Sequence, residues 1–162
     1  MLLCAALIFN VVPCAQAVQS DETMPDCSLT AKQDGGSFSL KQYTGQVLYV
    51  DFWASWCGPC AKSFPFLNGL HEELSAQGLR VIGINLDEQR EDAEGFLSQF
   101  PARFPTALGD NQACAMAFDV KAMPSSYLID KKGKVRHVHL GFKPDEAAQL
   151  KSLVQELLAE KP

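Results

Sequence analysis

The sequence predicts an α/β fold: a three-layer α/β/α sandwich around a central mixed sheet, with an extra β-hairpin at its N-terminal side. Three observations carry this expectation. First, Val47-Leu48-Tyr49-Val50-Asp51-Phe52 and Leu79-Arg80-Val81-Ile82-Gly83-Ile84-Asn85-Leu86 are nearly unbroken apolar runs of strand length, as expected for strands covered on both faces. Second, each is followed by an apolar stripe at helical spacing, Phe64, Leu67, Leu70 and Leu74 after the first and Ala93, Phe96, Leu97 and Phe100 after the second. Third, the chain closes with a strand at Ser125 to Ile129, a turn at Asp130 to Gly133, an antiparallel partner at Lys134 to Leu140, and a helix striped by Leu150, Leu153, Val154, Leu157 and Leu158.

The remaining elements follow in chain order. Met1 to Val18 contains no charged side chain, and Ala15-Gln16-Ala17 fits the small-x-small cleavage signature of a secretory signal. Residues 1–17 are therefore expected to be a signal peptide and 18–162 a single domain. The alternatives are an uncleaved membrane anchor, for which the run is short, and lipidation at Cys14, whose preceding Val-Val-Pro is a poor context. Cys27 to Leu40 reads as two short alternating runs around Asp34-Gly35-Gly36, a β-hairpin. The first helix should start close to Cys57, kink at Pro65 and stop before Gly78. A short helical piece is expected from Asn111 to Phe118, and Pro144, Asp145 and Glu146 favour the start of the last helix through a fixed φ and negative charge.

Composition narrows the function classes. At 162 residues, 47% hydrophobic and 20% charged, the chain is a globular domain of ordinary size. A net charge of -5 with no block of lysines or arginines offers nothing to phosphate backbones, so nucleic acid is not an expected partner. Cleavage after Ala17 would remove Cys4 and Cys14 and leave four cysteines: Cys27, Cys57, Cys60 and Cys114. In an exported protein an even number permits disulfides.

The chemistry is carried by Trp56-Cys57-Gly58-Pro59-Cys60, at a strand-to-helix junction. Two cysteines separated by two residues at a helix start can close a small disulfide ring. The first lies where free backbone N–H groups and the helix dipole stabilise a thiolate, the species that attacks disulfides. Cys57 is thus the expected nucleophile, and Cys60, a turn later and facing inward, the resolver. Pro59 suits the first helical turn, where no N–H is required, and Gly58 leaves the rim beside Cys57 clear for another protein. A structural zinc site would want four ligands, yet no second Cys-x-x-Cys is present, and His71, His137 and His139 lie far along other elements. A purely structural disulfide would close so small a ring that it would remove little unfolded-chain entropy.

Val50-Asp51-Phe52-Trp53-Ala54-Ser55-Trp56-Cys57-Gly58-Pro59-Cys60 resembles the active-site strand and turn of thioredoxin almost letter for letter. The rest of residues 25–160 is similar to the exported TlpA/ResA/DsbE-like branch of that superfamily. It is so through the N-terminal hairpin, Val81 to Asp87, and Met123-Pro124-Ser125-Ser126-Tyr127-Leu128-Ile129-Asp130-Lys131-Lys132-Gly133. The resemblance implies a thioredoxin-like fold and an extracytoplasmic, periplasmic thiol:disulfide oxidoreductase. It would be a monomer with no cofactor or metal beyond its Cys57-Cys60 disulfide. It implies a cis bond before Pro124, with Met123 and Pro124 beside the disulfide and the Met123 backbone pairing with an extended substrate peptide. It makes Asp51 a buried acid able to take the proton of Cys60, so the candidate catalytic residues are Cys57, Cys60 and Asp51. Trp56, Gly58, Pro59, Met123 and Pro124 are the candidate substrate-binding residues, and Trp53 is expected in the core.

The same resemblance implies disulfide-containing client proteins and re-reduction by a membrane thiol-electron donor of the DsbD/CcdA type. The Gly58-Pro59 dipeptide resembles reductants, whereas strong oxidants carry histidine there. Gly83 stands where thioredoxins place the lysine that neighbours the buried acid, and Met123 where they place threonine. Val120 to Ser125 does not match the Gly-Val-x-Gly-x-Pro-Glu pattern of the cytochrome c maturation subgroup, which favours general reduction. The rival readings are a disulfide oxidant of the same fold and a copper-binding chaperone using Cys57 and Cys60 as soft ligands. Cys27 and Cys114 are either a second, structural disulfide or two buried thiols, a choice that depends on their Cα separation. His137 and His139 share one strand face, expected to meet solvent.

Overall fold

The computed structural model describes residues 21–31, 35–108 and 111–161. The expected signal segment, with Cys4 and Cys14, and residues 32–34 of the hairpin turn lie outside the described residues. In chain order the elements are β1 (Ser28–Thr30), β2 (Ser37–Ser39), β3 (Val47–Trp53), α1 (Gly58–Leu74), β4 (Leu79–Asn85), α2 (Arg90–Gln99), β5 (Thr106–Ala107), α3 (Gln112–Ala117), β6 (Ser125–Ile129), β7 (Val135–Leu140) and α4 (Ala147–Ala159).

β3 is the middle strand of five, ordered β5-β4-β3-β6-β7, and every one of its residues is buried. It runs parallel to β4, reached through the crossover helix α1, and antiparallel to β6, which forms a terminal hairpin with β7. Because side chains alternate along a strand, β3 feeds two separate cores. Val47, Tyr49 and Trp53 pack under α1, α2 and α4 with Phe64, Leu67, Phe96 and Val154. Leu48, Val50 and Phe52 pack on the opposite face with Leu29 and Leu40 of the hairpin region and Cys114 and Phe118 around α3. The expected sandwich and the hairpin, β1 paired antiparallel with β2, are thus both present.

α1 continues as one element through Pro65 to Leu74, and the short 3-10 turn that follows over Ser75–Gln77 ends at Gly78, whose φ of 99° is a left-handed conformation that glycine adopts without steric penalty. The two-residue β5 has no counterpart in the sequence reading. It is too short to show a period, and it exists because the Pro105 carbonyl accepts the Gly83 N–H while Ala107 bridges to Ala31 of the hairpin. The histidine face of β7 also differs from expectation. His137 and His139 are half-buried, with stacked rings 6.1 Å apart, and His137 lines a small cavity with Leu153 and Leu157 of α4. The His139 Nε2 lies 3.2 Å from the Glu146 carboxylate. The last helix packs over this face, which is why alternation alone misassigned it to solvent.

Candidate active site

β3 ends at Trp53, and α1 begins at Gly58 after four intervening residues, the last of which, Cys57, is its N-cap. The cap is made by sulfur: the Cys60 N–H donates to Cys57 Sγ across 3.2 Å. Any negative charge that develops on this sulfur is therefore stabilised by a backbone donor and by the positive end of a 17-residue helix. Pro59 falls in the first turn, where its missing N–H leaves no bond unmade. Cys57 and Cys60 are joined in a disulfide with Cα atoms 5.3 Å apart.

The two sulfurs differ in access. Cys57 is 5% exposed and borders grooves on both sides of Trp56, whereas Cys60 is fully buried and borders neither. The larger groove, about 550 Å³, is lined by Trp56, Cys57, Gly58 and Pro59 on one wall and by Val120, Ala122 and Met123 on the other. The Met123-Pro124 peptide bond is cis, and it sets Met123 across this groove from Cys57. Trp56, 70% exposed, stands between the two grooves, while Trp53 is fully buried, with ring centroids 5.2 Å from Phe64 and 5.0 Å from Phe96.

Asp87 holds the turn that precedes Cys57. Its carboxylate accepts the Ser55 N–H at 2.9 Å, the Ser55 hydroxyl at 2.9 Å and the Asn85 side-chain amide at 2.7 Å. Sequence reading noticed Asp87 only as part of a motif. Its role depends on three donors from two strand ends, which no local pattern reveals.

Asp51 is fully buried on the α1 side of β3, its register neighbours being Gly83 on β4 and Ser126 on β6. The Ser126 hydroxyl donates to Asp51 Oδ1 at 2.5 Å, while Oδ2 has no hydrogen-bond partner among the described residues. Burial pushes the carboxyl up to about 7, against a smaller lowering by the Ser126 bond. At neutral pH such a group both holds and releases a proton. A side chain at position 83 would crowd its neighbours, because a Cβ there would lie 3.0 Å from Phe104 and 3.1 Å from Trp53 Nε1, so either ring would have to shift by a few tenths of an ångström. Ser126 is thus the polar neighbour that sequence reading missed. It appears there only as one letter of an alternating strand.

Cys27 and Cys114 are also joined, with Cα atoms 5.2 Å apart and 87 positions between them in sequence. The bond ties the hairpin region to α3, and Gln112 of α3 contributes to the wall of the larger groove. Among the described residues no helix is long and apolar enough to cross a membrane.

Comparison with known proteins agrees with this geometry. The thiol-disulfide oxidoreductase ResA of Geobacillus thermodenitrificans is 31% identical over 145 residues, covering 87% of this chain and 83% of the relative. ResA of Bacillus subtilis is 27% identical over 143 residues, covering 87% and 80%. A solved chain from Chlorobium tepidum, ascribed to the thiol:disulfide interchange protein DsbE, superposes with a TM-score of 0.84 at 39% identity, covering 88% of this chain and all of that one. With its Cys57-Cys60 disulfide at a helix start, the protein is a thiol:disulfide oxidoreductase of thioredoxin-like fold acting on disulfide-containing clients. A Redoxin family model matches residues 19–157, and the chain belongs to the redoxin family.

Proposed function

We propose that the protein is an exported reductant of client disulfides. The reading rests chiefly on the unequal access of the two sulfurs. A client approaching along either groove meets Cys57 and does not meet Cys60. The Cys57 thiolate attacks one sulfur of the client disulfide, forms a mixed disulfide and expels the other client sulfur as a thiolate, which takes up a proton. Cys60 then gives its proton to Asp51 and attacks Cys57, releasing the second client thiolate and closing the Cys57-Cys60 disulfide. Two electrons pass from the enzyme dithiol to the client, and each oxidised enzyme needs one external dithiol to return. A membrane donor of the DsbD/CcdA type would fill that place in the periplasm or an equivalent extracytoplasmic compartment. During the exchange Trp56, Gly58 and Pro59 form one wall for the client chain and Met123 stands in the other, held there by the cis bond to Pro124, which is itself buried behind the groove.

The test is reduction of insulin disulfides by wild type, Cys57→Ser and Cys60→Ser. Wild type should turn over with dithiothreitol, Cys57→Ser should be inactive, and Cys60→Ser should accumulate a mixed disulfide with the client. A Cys57-Cys60 potential near that of thioredoxin, about −270 mV, supports the reductive direction, and one near about −120 mV would reverse it.

A further inference from the structure

Asp51 has neighbours of two kinds. Toward β4 it faces Gly83, which has no side chain, and the helix above contributes Cys60, Phe64 and Leu67 to the core cluster that Tyr49 and Trp53, on the same face of β3, also join. Toward β6 it meets Ser126, only 3% exposed, whose hydroxyl donates to Oδ1. Tyr49, two residues earlier on the same face of β3, also interacts with the Ser126 hydroxyl through its side chain. Apart from Tyr49 and Cys60, none of these groups titrates, and none carries a fixed charge. Burial and the Ser126 bond are the influences acting on the Asp51 carboxyl.

We propose that Ser126 is a positioning residue of the exchange reaction: its hydroxyl orients the Asp51 carboxylate and sets the pH at which that group can take the Cys60 proton. The inference rests on the reading of Asp51 as proton acceptor. A hydroxyl has one proton, and Ser126 directs it at Asp51 Oδ1. With the carboxyl ionised, this places a donor on Oδ1 and leaves the unpartnered Oδ2 as the site for the transferred proton. The hydrogen bond favours the ionised form, burial opposes it, and their balance lies near neutral pH. A lysine at the Gly83 position would have supplied a positive charge. A hydroxyl from the opposite neighbouring strand supplies a single charge-assisted hydrogen bond instead.

The test compares wild type with Ser126→Ala, Ser126→Thr and Asp51→Asn in two measurements. The first is the pH titration of the Asp51 carboxyl carbon by NMR in the reduced protein. The second is the pH dependence of kcat/KM for insulin reduction. Loss of the hydroxyl should raise the Asp51 midpoint by about one pH unit. The onset of kcat/KM should move with it, and Ser126→Thr should restore both. A folded Ser126→Ala protein whose Asp51 midpoint equals that of wild type would overturn the inference. If Asp51→Asn instead keeps the wild-type onset of kcat/KM, the proton-acceptor reading itself fails. That failure is separate, because the effect of Ser126 is read from the Asp51 resonance alone.

Discussion

The indole nitrogen of Trp53 lies 3.1 Å from the point where a Cβ on Gly83 would stand. Phe104, on the other side, would be 3.0 Å away, and both aromatic side chains are buried. Glycine at this position fits closely against the tryptophan next to the active-site turn.

Gly83→Ala should therefore destabilise the protein by about 1–3 kcal/mol through overpacking. Gly83→Lys, which would put a cation beside Asp51, should be worse. Urea unfolding of the two variants checks this. Stability of Gly83→Lys equal to wild type would show that the aromatic wall yields.

Asp51 should make stability depend on pH in an unusual direction for a carboxyl. Folding raises it from 3.8 to about 7, so between these values the folded chain holds a proton that the unfolded chain has released. The contribution of this group is full below about pH 4 and is lost as pH rises through about 7. Asp51→Asn abolishes that loss. Its urea midpoint should gain on wild type from pH 5 to pH 8, by on the order of 2–4 kcal/mol when converted to free energy. A constant difference between the two proteins across that range would contradict the raised carboxyl.

The Cys27-Cys114 bond spans 87 positions and lies outside the exchange site. Cys27→Ser/Cys114→Ser should lower stability by about 2–4 kcal/mol, chiefly by freeing the unfolded chain. Insulin reduction below the melting temperature should remain close to wild type. A loss of turnover in the folded double variant would mean that the bond also shapes the groove wall near Gln112.

Much of the site is local and therefore legible. A strand-length apolar run, a five-residue turn with Cys57 and Cys60, and a proline in the first helical turn specify the junction from adjacent residues alone. The cis Met123-Pro124 bond came through resemblance, not through any period in the chain. Asp87 and Ser126 were not legible as site residues. Each acts through a partner 32 or 75 positions away, fixed only when strands fall into register.

By itself the sequence determined the alternation of strands and helices, the position of the reactive pair at a helix start, and the burial of Asp51 within an apolar strand. All of these follow from periods and caps that extend over a few residues. Only the tertiary structure decided that Gly83 packs tightly against Trp53 and Phe104, that Ser126 supplies the carboxyl's hydrogen bond, that Cys27 meets Cys114, and that α4 covers His137. These depend on which strands become neighbours and how side chains from distant segments fill one interior. That arrangement is settled by packing across the whole sheet.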